Sequence, residues 1–86
     1  MNRVMWQFEL SFDNTWGRWD MPEDAEIVHF DVHGGTPCMW ALVSPELPCR
    51  RREVCICATG HIVPDGMKYV GTCQHGGLVW HLFEAL

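Results

Sequence analysis

Positive charge is scarce in this chain, which has six Lys and Arg against eleven Asp and Glu and a net charge of -5 at pH 7. This balance argues against direct nucleic-acid binding, because contacts to phosphate backbones need clustered cations. Long apolar runs are also missing: none approaches the roughly 20 residues of a membrane span, and residues 1–10 do not resemble a signal peptide. We therefore expect a cytosolic protein that binds neither nucleic acid nor a membrane.

Disulfide and zinc patterns are missing as well. The five cysteines are an odd number without a secretion signal, so at least one thiol stays unpaired in a monomer. No C-x-x-C occurs, and Cys55-Ile56-Cys57 is spaced too closely for zinc-knuckle or thioredoxin patterns. We expect reduced thiols that pack as small hydrophobic side chains.

Alternation of apolar and polar residues predicts a β protein. The 86 residues are 48% hydrophobic, which suits one small domain over residues 1–86. A period of two runs through Val4–Phe12 and returns at Val28–His33, as is typical of half-buried strands. Cys38–Val43 is apolar on both faces and is predicted to be a central strand covered on two sides.

The whole chain is predicted to form about six strands and no long helix. Asp13–Ala25 has no apolar period and is predicted to be a long N-terminal loop, with one helical turn near Pro22. His33-Gly34-Gly35 and His75-Gly76-Gly77 predict two similar hairpins. An all-β, mostly antiparallel sandwich or small barrel is the expected closure. The predicted strands are Val4–Phe12, Val28–His33, Cys38–Val43, Glu53–Thr59, Lys68–Gln74 and Leu78–Glu84.

The most enzyme-like string is His29-x-Asp31-x-His33, which lies on one face of a predicted strand. Its histidines are about 13 Å apart along a strand, too far to share one metal ion. A metal site would need further ligands such as His75 or His81, so a solvated strand face is favoured. No cysteine lies in a turn or helix start that would lower its pKa. We therefore predict that the protein is not an enzyme and that it binds neither a metal ion nor a cofactor.

Two charged or aromatic segments favour binding over catalysis. Tryptophan on a loop is enriched in interface hot spots, and two tryptophans lie beside acidic residues in the predicted loop. The alternative is that both indoles cover the open end of the sheet. The candidate partner-binding residues are Trp16, Arg18, Trp19, Asp20, Glu23 and Asp24.

Arg50, Arg51 and Arg52 are three consecutive cations in the turn predicted before the fourth strand. Guanidinium groups bind carboxylates and phosphates through paired hydrogen bonds, so these residues are a candidate anion-binding site. The alternative is a solvated turn.

The chain contains five characteristic runs: Gly35–Val43, Ile56–His61, Pro64–Gly66, Tyr69–Gln74 and Val79–Glu84. Over about Met21 to Glu84, they resemble a family of short bacteriophage and prophage proteins of unknown function. The resemblance implies no catalytic residue, so it assigns no site. It implies a small protein that binds a host protein stoichiometrically, as anti-CRISPR and other anti-defence inhibitors do.

The leading hypothesis is therefore a non-enzymatic inhibitor that binds a host protein, a component of a defence system, in the bacterial cytoplasm. An acidic surface can occupy a channel lined by Lys and Arg. The first alternative is an oligomeric sponge that sequesters a nucleotide signal with Arg50–Arg52 and a histidine. The second is a zinc-binding module that uses Cys55, Cys57 and histidines.

Overall fold

Seven antiparallel β-strands form the part of the chain that the computed structural model describes, residues 2–12 and 16–86. These residues include no helix, and hence none that could cross a membrane. The strands are β1 (Val4–Glu9), β2 (Trp16–Pro22), β3 (Glu26–His33), β4 (Thr36–Val43), β5 (Cys49–Ala58), β6 (Met67–His75) and β7 (Leu78–Ala85).

The strands make two sheets in a sandwich-like arrangement. Sheet A has the order β1-β4-β3, and sheet B has the order β2-β5-β7-β6. The inward side chains of both sheets form one core, in which Met21, Phe30, Met39 and Leu82 are almost completely buried. The all-β, antiparallel prediction is confirmed, and the sandwich is the closure adopted.

The sandwich is closed on one side by β3 and β6. A Cβ atom at Gly71 would lie 3.4 Å from the Cβ of Phe30, so the missing side chain lets these two strands approach closely. Pairing between β6 and β7 shifts register at this point, between Tyr69 and Gly71. On the other side, β1 and β2 are the outer strands of their sheets, and the sandwich remains open between them.

The two hairpins have the similar turns that the sequence predicted. Gly34 and Gly35 link β3 to β4 with φ angles of 59° and 83°, and Gly76 and Gly77 link β6 to β7 with 61° and 78°. Two consecutive positive φ angles are the requirement of a type I′ turn, which matches the twist of the strands.

The prediction of a long loop over Asp13–Ala25 is wrong for Trp16–Pro22, which is strand β2; residues 13–15 lie outside the described part. β2 is an edge strand with a glycine near its start and a proline at its end, which hides the apolar period. Near Pro22 the chain makes a turn, in which the Ala25 N–H donates to the Pro22 carbonyl (2.9 Å).

Two further strand predictions need correction. Arg50, Arg51 and Arg52 do not lie in a turn: they are in β5, where they pair with the last residues of β2. The strand β4 is central, but its outward residues Trp40 and Leu42 are only half-buried, so it is not covered on both sides.

Candidate binding cleft

A cleft of about 510 Å³ opens where β1 and β2 leave the sandwich unclosed. Its floor is the inward face of β5, and its walls are the end of β1 and the first half of β2. We call it the β1–β2 cleft. Its lining residues are Glu9, Leu10, Ser11, Trp16, Gly17, Arg18, Trp19, Val54 and Ile56.

Trp19 forms the inner wall of the cleft. Its indole contacts the Phe8 ring, with 6.0 Å between the ring centroids. A Cβ atom at Gly17 would lie 3.1 Å from Trp19 Nε1, so the glycine makes room for the indole. Trp19 Nε1 is buried and has no hydrogen-bond partner among the described residues. The indole therefore has an unused hydrogen-bond donor. A buried N–H without an acceptor costs free energy, so an acceptor that reached it would be stabilised.

Trp16 lies at the opening of the cleft. It is 40% exposed and pairs with Cys55 across β2 and β5. Positions 16 and 19 fall on opposite faces of a strand, because side chains alternate. Each of the two interpretations from the sequence therefore applies to one tryptophan. Trp19 packs against the core, as the alternative predicted, and Trp16 is exposed at the surface.

The structure brings three of the six candidate partner-binding residues into the cleft, Trp16, Arg18 and Trp19. Arg18 forms an ion pair with Glu53 (Nε to Oε2, 3.5 Å). The acidic candidates Asp20, Glu23 and Asp24 do not line the cleft.

Asp24 instead joins β4 to the turn after β2. Its carboxylate accepts hydrogen bonds from the Ser44 hydroxyl and from the Ser44 N–H (3.0 Å), and Arg3 Nε lies 3.6 Å away. The Ser44 hydroxyl, the Ser44 N–H and, more weakly, the Arg3 charge lower the pKa of Asp24 below its ordinary value. Asp24 is therefore a structural residue.

The three arginines of β5 have different surroundings. Arg52 is held between β5 and β7 by an ion pair with Glu84, and its Nη1 donates to the Ala25 carbonyl (2.8 Å). Arg50 and Arg51 are exposed. All three line a second pocket of about 400 Å³, together with Lys68, which the sequence did not single out.

His29 and His33 both contact one tryptophan on the outer face of sheet A. Their ring centroids lie 5.4 Å and 6.4 Å from that of Trp40. Asp31 Oδ2 is 3.7 Å from His29 Nε2. Within residues 2–12 and 16–86, no group of three or more His, Cys, Asp or Glu side chains is placed to hold a metal ion.

The buried thiols of Cys55 and Cys73 have surroundings that make them poor nucleophiles. Burial, with a smaller contribution from the neighbouring Cys57 thiol, raises the pKa of Cys55 to about 12. Cys57 Sγ lies 3.5 Å from Cys55 Sγ. Burial, assisted by the charge of Asp31, also raises the pKa of Cys73. These surroundings disfavour the thiolate, the form that reacts.

A hydrogen-bonded chain on the outer face of sheet B was not apparent from the sequence. The His81 ring lies between two hydroxyls, with Nε2 2.7 Å from Thr59 Oγ1 and Nδ1 2.9 Å from Thr72 Oγ1. Thr72 Oγ1 is also 2.5 Å from the Tyr69 hydroxyl. The chain depends on the pairing of β6 with β7, which sets Thr72 opposite His81. It orients the imidazole, but no carboxylate within residues 2–12 and 16–86 bonds to this imidazole as in a catalytic triad.

Comparison with known proteins identifies a family. No curated protein and no solved structure matches the chain. A family model matches residues 1–86, which extends beyond the resemblance found over Met21 to Glu84. The chain belongs to this family, described as a domain of unknown function (DUF7352).

Proposed function

We propose that this protein is a non-enzymatic binding domain that holds an extended segment of a partner protein in the β1–β2 cleft. The observation that carries this proposal is the open side of the sandwich, where two edge strands flank an apolar floor formed by Val54 and Ile56. Concave apolar sites with a few polar groups at the edge are the usual form of a binding site.

The edge strands suit a partner that binds in extended form. A strand at the edge of a sheet has backbone N–H and C=O groups that can pair with an added strand. Both β1 and β2 are such strands, and they lie on the two sides of the cleft. Backbone bonding would supply affinity, and the cleft would select the side chain.

The lining defines the chemistry of the partner segment. Val54 and Ile56 favour an apolar side chain, and Trp16 adds an exposed aromatic surface of the kind that dominates interface energies. A carbonyl of the segment would offset the cost of the unpaired Trp19 Nε1. Glu9 at the edge of the cleft favours a basic residue beside the apolar one.

The partner is a host protein, and the binding is stoichiometric inhibition of a bacterial defence component in the host cytoplasm. This part of the proposal is supported by the sequence resemblance to bacteriophage and prophage proteins. It is also supported by the net charge of -5, because an acidic protein is attracted to the basic channels of nucleic-acid-binding complexes.

The test is an affinity capture from bacterial lysate with three tagged proteins: wild type, Trp16→Ala and Trp40→Ala. Trp40 is the matched control, since it is a half-buried tryptophan on the outer face of sheet A, away from the cleft. We expect a stoichiometric partner that wild type and Trp40→Ala retain and Trp16→Ala loses. Equal retention by all three proteins would show that the cleft is not the binding site.

A further inference from the structure

The end of sheet B formed by β5, β6 and β7 has a pocket of about 400 Å³, which we call the arginine pocket. Four of the six cations of the chain line it, although the chain as a whole is acidic. Three of them come from β5, and the fourth, Lys68, comes from β6. The lining residues are Arg50, Arg51, Arg52, Glu53, Lys68, Glu84, Ala85 and Leu86.

The two side-chain carboxylates of the arginine pocket are already engaged. Glu84 is paired with Arg52, and their side chains are only 9% and 13% exposed. Glu53 is paired with Arg18, which lies outside the pocket. The Arg52–Glu84 pair therefore forms a fixed, nearly neutral part of the pocket wall.

Three cations of the pocket remain without an ion pair. Among the described residues, no carboxylate lies within ion-pair distance of Arg50, Arg51 or Lys68. Asp20 is opposite Arg51 in the β2–β5 pairing, but the two do not form an ion pair. Clustered like charges repel one another, and a bound anion removes that repulsion.

We propose that the arginine pocket binds the phosphate groups of a small, multiply charged molecule such as a nucleoside triphosphate, through Arg50 and Lys68. Arg51, on the opposite face of β5, adds to the positive charge. Guanidinium groups match phosphate oxygens with paired hydrogen bonds, and a lysine adds a mobile point charge. The pocket volume lies within the range of small-molecule sites, roughly 300–1,000 Å³. A long nucleic acid is disfavoured, because the net charge of the chain would repel the rest of its backbone.

The test uses pyrophosphate, adenosine triphosphate and adenosine as probes, with sodium chloride added to equal ionic strength. Calorimetry should detect binding of the first two probes and none of adenosine. A hundredfold excess over Kd should raise Tm by about 10 °C or more. The double variant Arg50→Ala with Lys68→Ala should weaken binding at least tenfold. Arg3→Ala, which removes a cation outside both the arginine pocket and the β1–β2 cleft, should leave binding unchanged.

Three outcomes would overturn the proposal: no binding of either phosphate compound, equal binding by the double variant, or binding of adenosine alone. Because Arg50 and Lys68 are exposed, the double variant is expected to fold, and circular dichroism checks this directly. The test does not involve the β1–β2 cleft, so its result is separate from that of the protein-binding proposal.

Discussion

The strands of the two sheets differ sharply in charge. Sheet A has three carboxylates, Glu9, Glu26 and Asp31, and no Lys or Arg. The strands of sheet B have five cations and three carboxylates, and so contain all but one of the Lys and Arg residues of the chain. A net charge of -5 therefore conceals an acidic sheet and a basic one, and each can attract a different ligand.

The carboxylates of the two regions also have different structural roles. In sheet B, Glu84 is buried and neutralises an arginine whose side chain is only 13% exposed. Beside sheet A, Asp24 lies nearer the surface and bonds to Ser44 and Arg3. Removing one partner of a buried pair leaves a charge in a poorly solvated place, whereas water can solvate the partner of an exposed one. The following predictions test this contrast in order of size.

Glu84→Ala should have the largest effect, a loss of about 3–5 kcal/mol in the free energy of unfolding, because Arg52 would stay buried without its counter-charge. Urea unfolding followed by circular dichroism measures it. Glu53→Ala is the control: its pair with Arg18 is exposed, so its loss should stay below about 1 kcal/mol. Similar losses in both variants would contradict the contrast.

Trp19→Ala should cost about 2–3 kcal/mol, because its indole packs on Phe8 and the core. Trp16→Ala should cost less than Trp19→Ala, since this side chain is 40% exposed. Chemical denaturation of the two variants gives both values. Trp16→Ala is thus the better variant for binding tests, and a loss from Trp16→Ala as large as that from Trp19→Ala would remove this advantage.

Asp24→Asn should lower Tm at pH 7, and the difference from wild type should shrink as the pH falls. The pKa of Asp24 is lower in the folded protein than in the unfolded chain, so its carboxylate stabilises the fold above the unfolded value. That contribution is lost as the pH falls through about 4 and then through the folded pKa. Thermal unfolding between pH 3 and 7 measures the trend, and a constant difference would contradict it.

The smallest effect concerns thiol reactivity and should leave stability unchanged. Cys49 is exposed, while the other four cysteines, Cys38, Cys55, Cys57 and Cys73, are buried. A thiol reagent at pH 8 should therefore react quickly with one thiol in the native protein and with all five after denaturation. Cys49→Ser should abolish the fast phase; persistence of that phase would show that another thiol is accessible.

The two hairpins were predictable because their signals are local. A glycine pair supplies the positive φ angles, and alternating residues on either side supply the strands, as at Gly34-Gly35 and Gly76-Gly77. Strand β2 was not predictable in this way. One of its inward positions is Gly17, which has no side chain, so the alternation of apolar and polar residues is interrupted there. The structure shows that the Trp19 indole occupies the space beside Gly17.

The failure to predict strand β2 affected the predictions for both candidate sites. β2 pairs with the first half of β5, which contains the three arginines. Without β2 as a pairing partner, this segment was predicted to be a turn. Trp16, Arg18 and Trp19 all line the cleft, and they are also close in the sequence. Their role in partner binding stays a prediction. Val54 lies in the β1–β2 cleft and Lys68 in the arginine pocket because of how the strands pair. No local pattern in the sequence predicts this pairing.

The most direct test of the central claim, that the β1–β2 cleft binds a partner segment, is hydrogen exchange of the protein alone and in complex with the captured partner. We expect backbone amides in residues 9–11 and 16–19 to gain protection, because these positions line the cleft along two strand edges. Protection confined to the outer face of sheet A around Trp40, with unchanged exchange in β2, would contradict the claim.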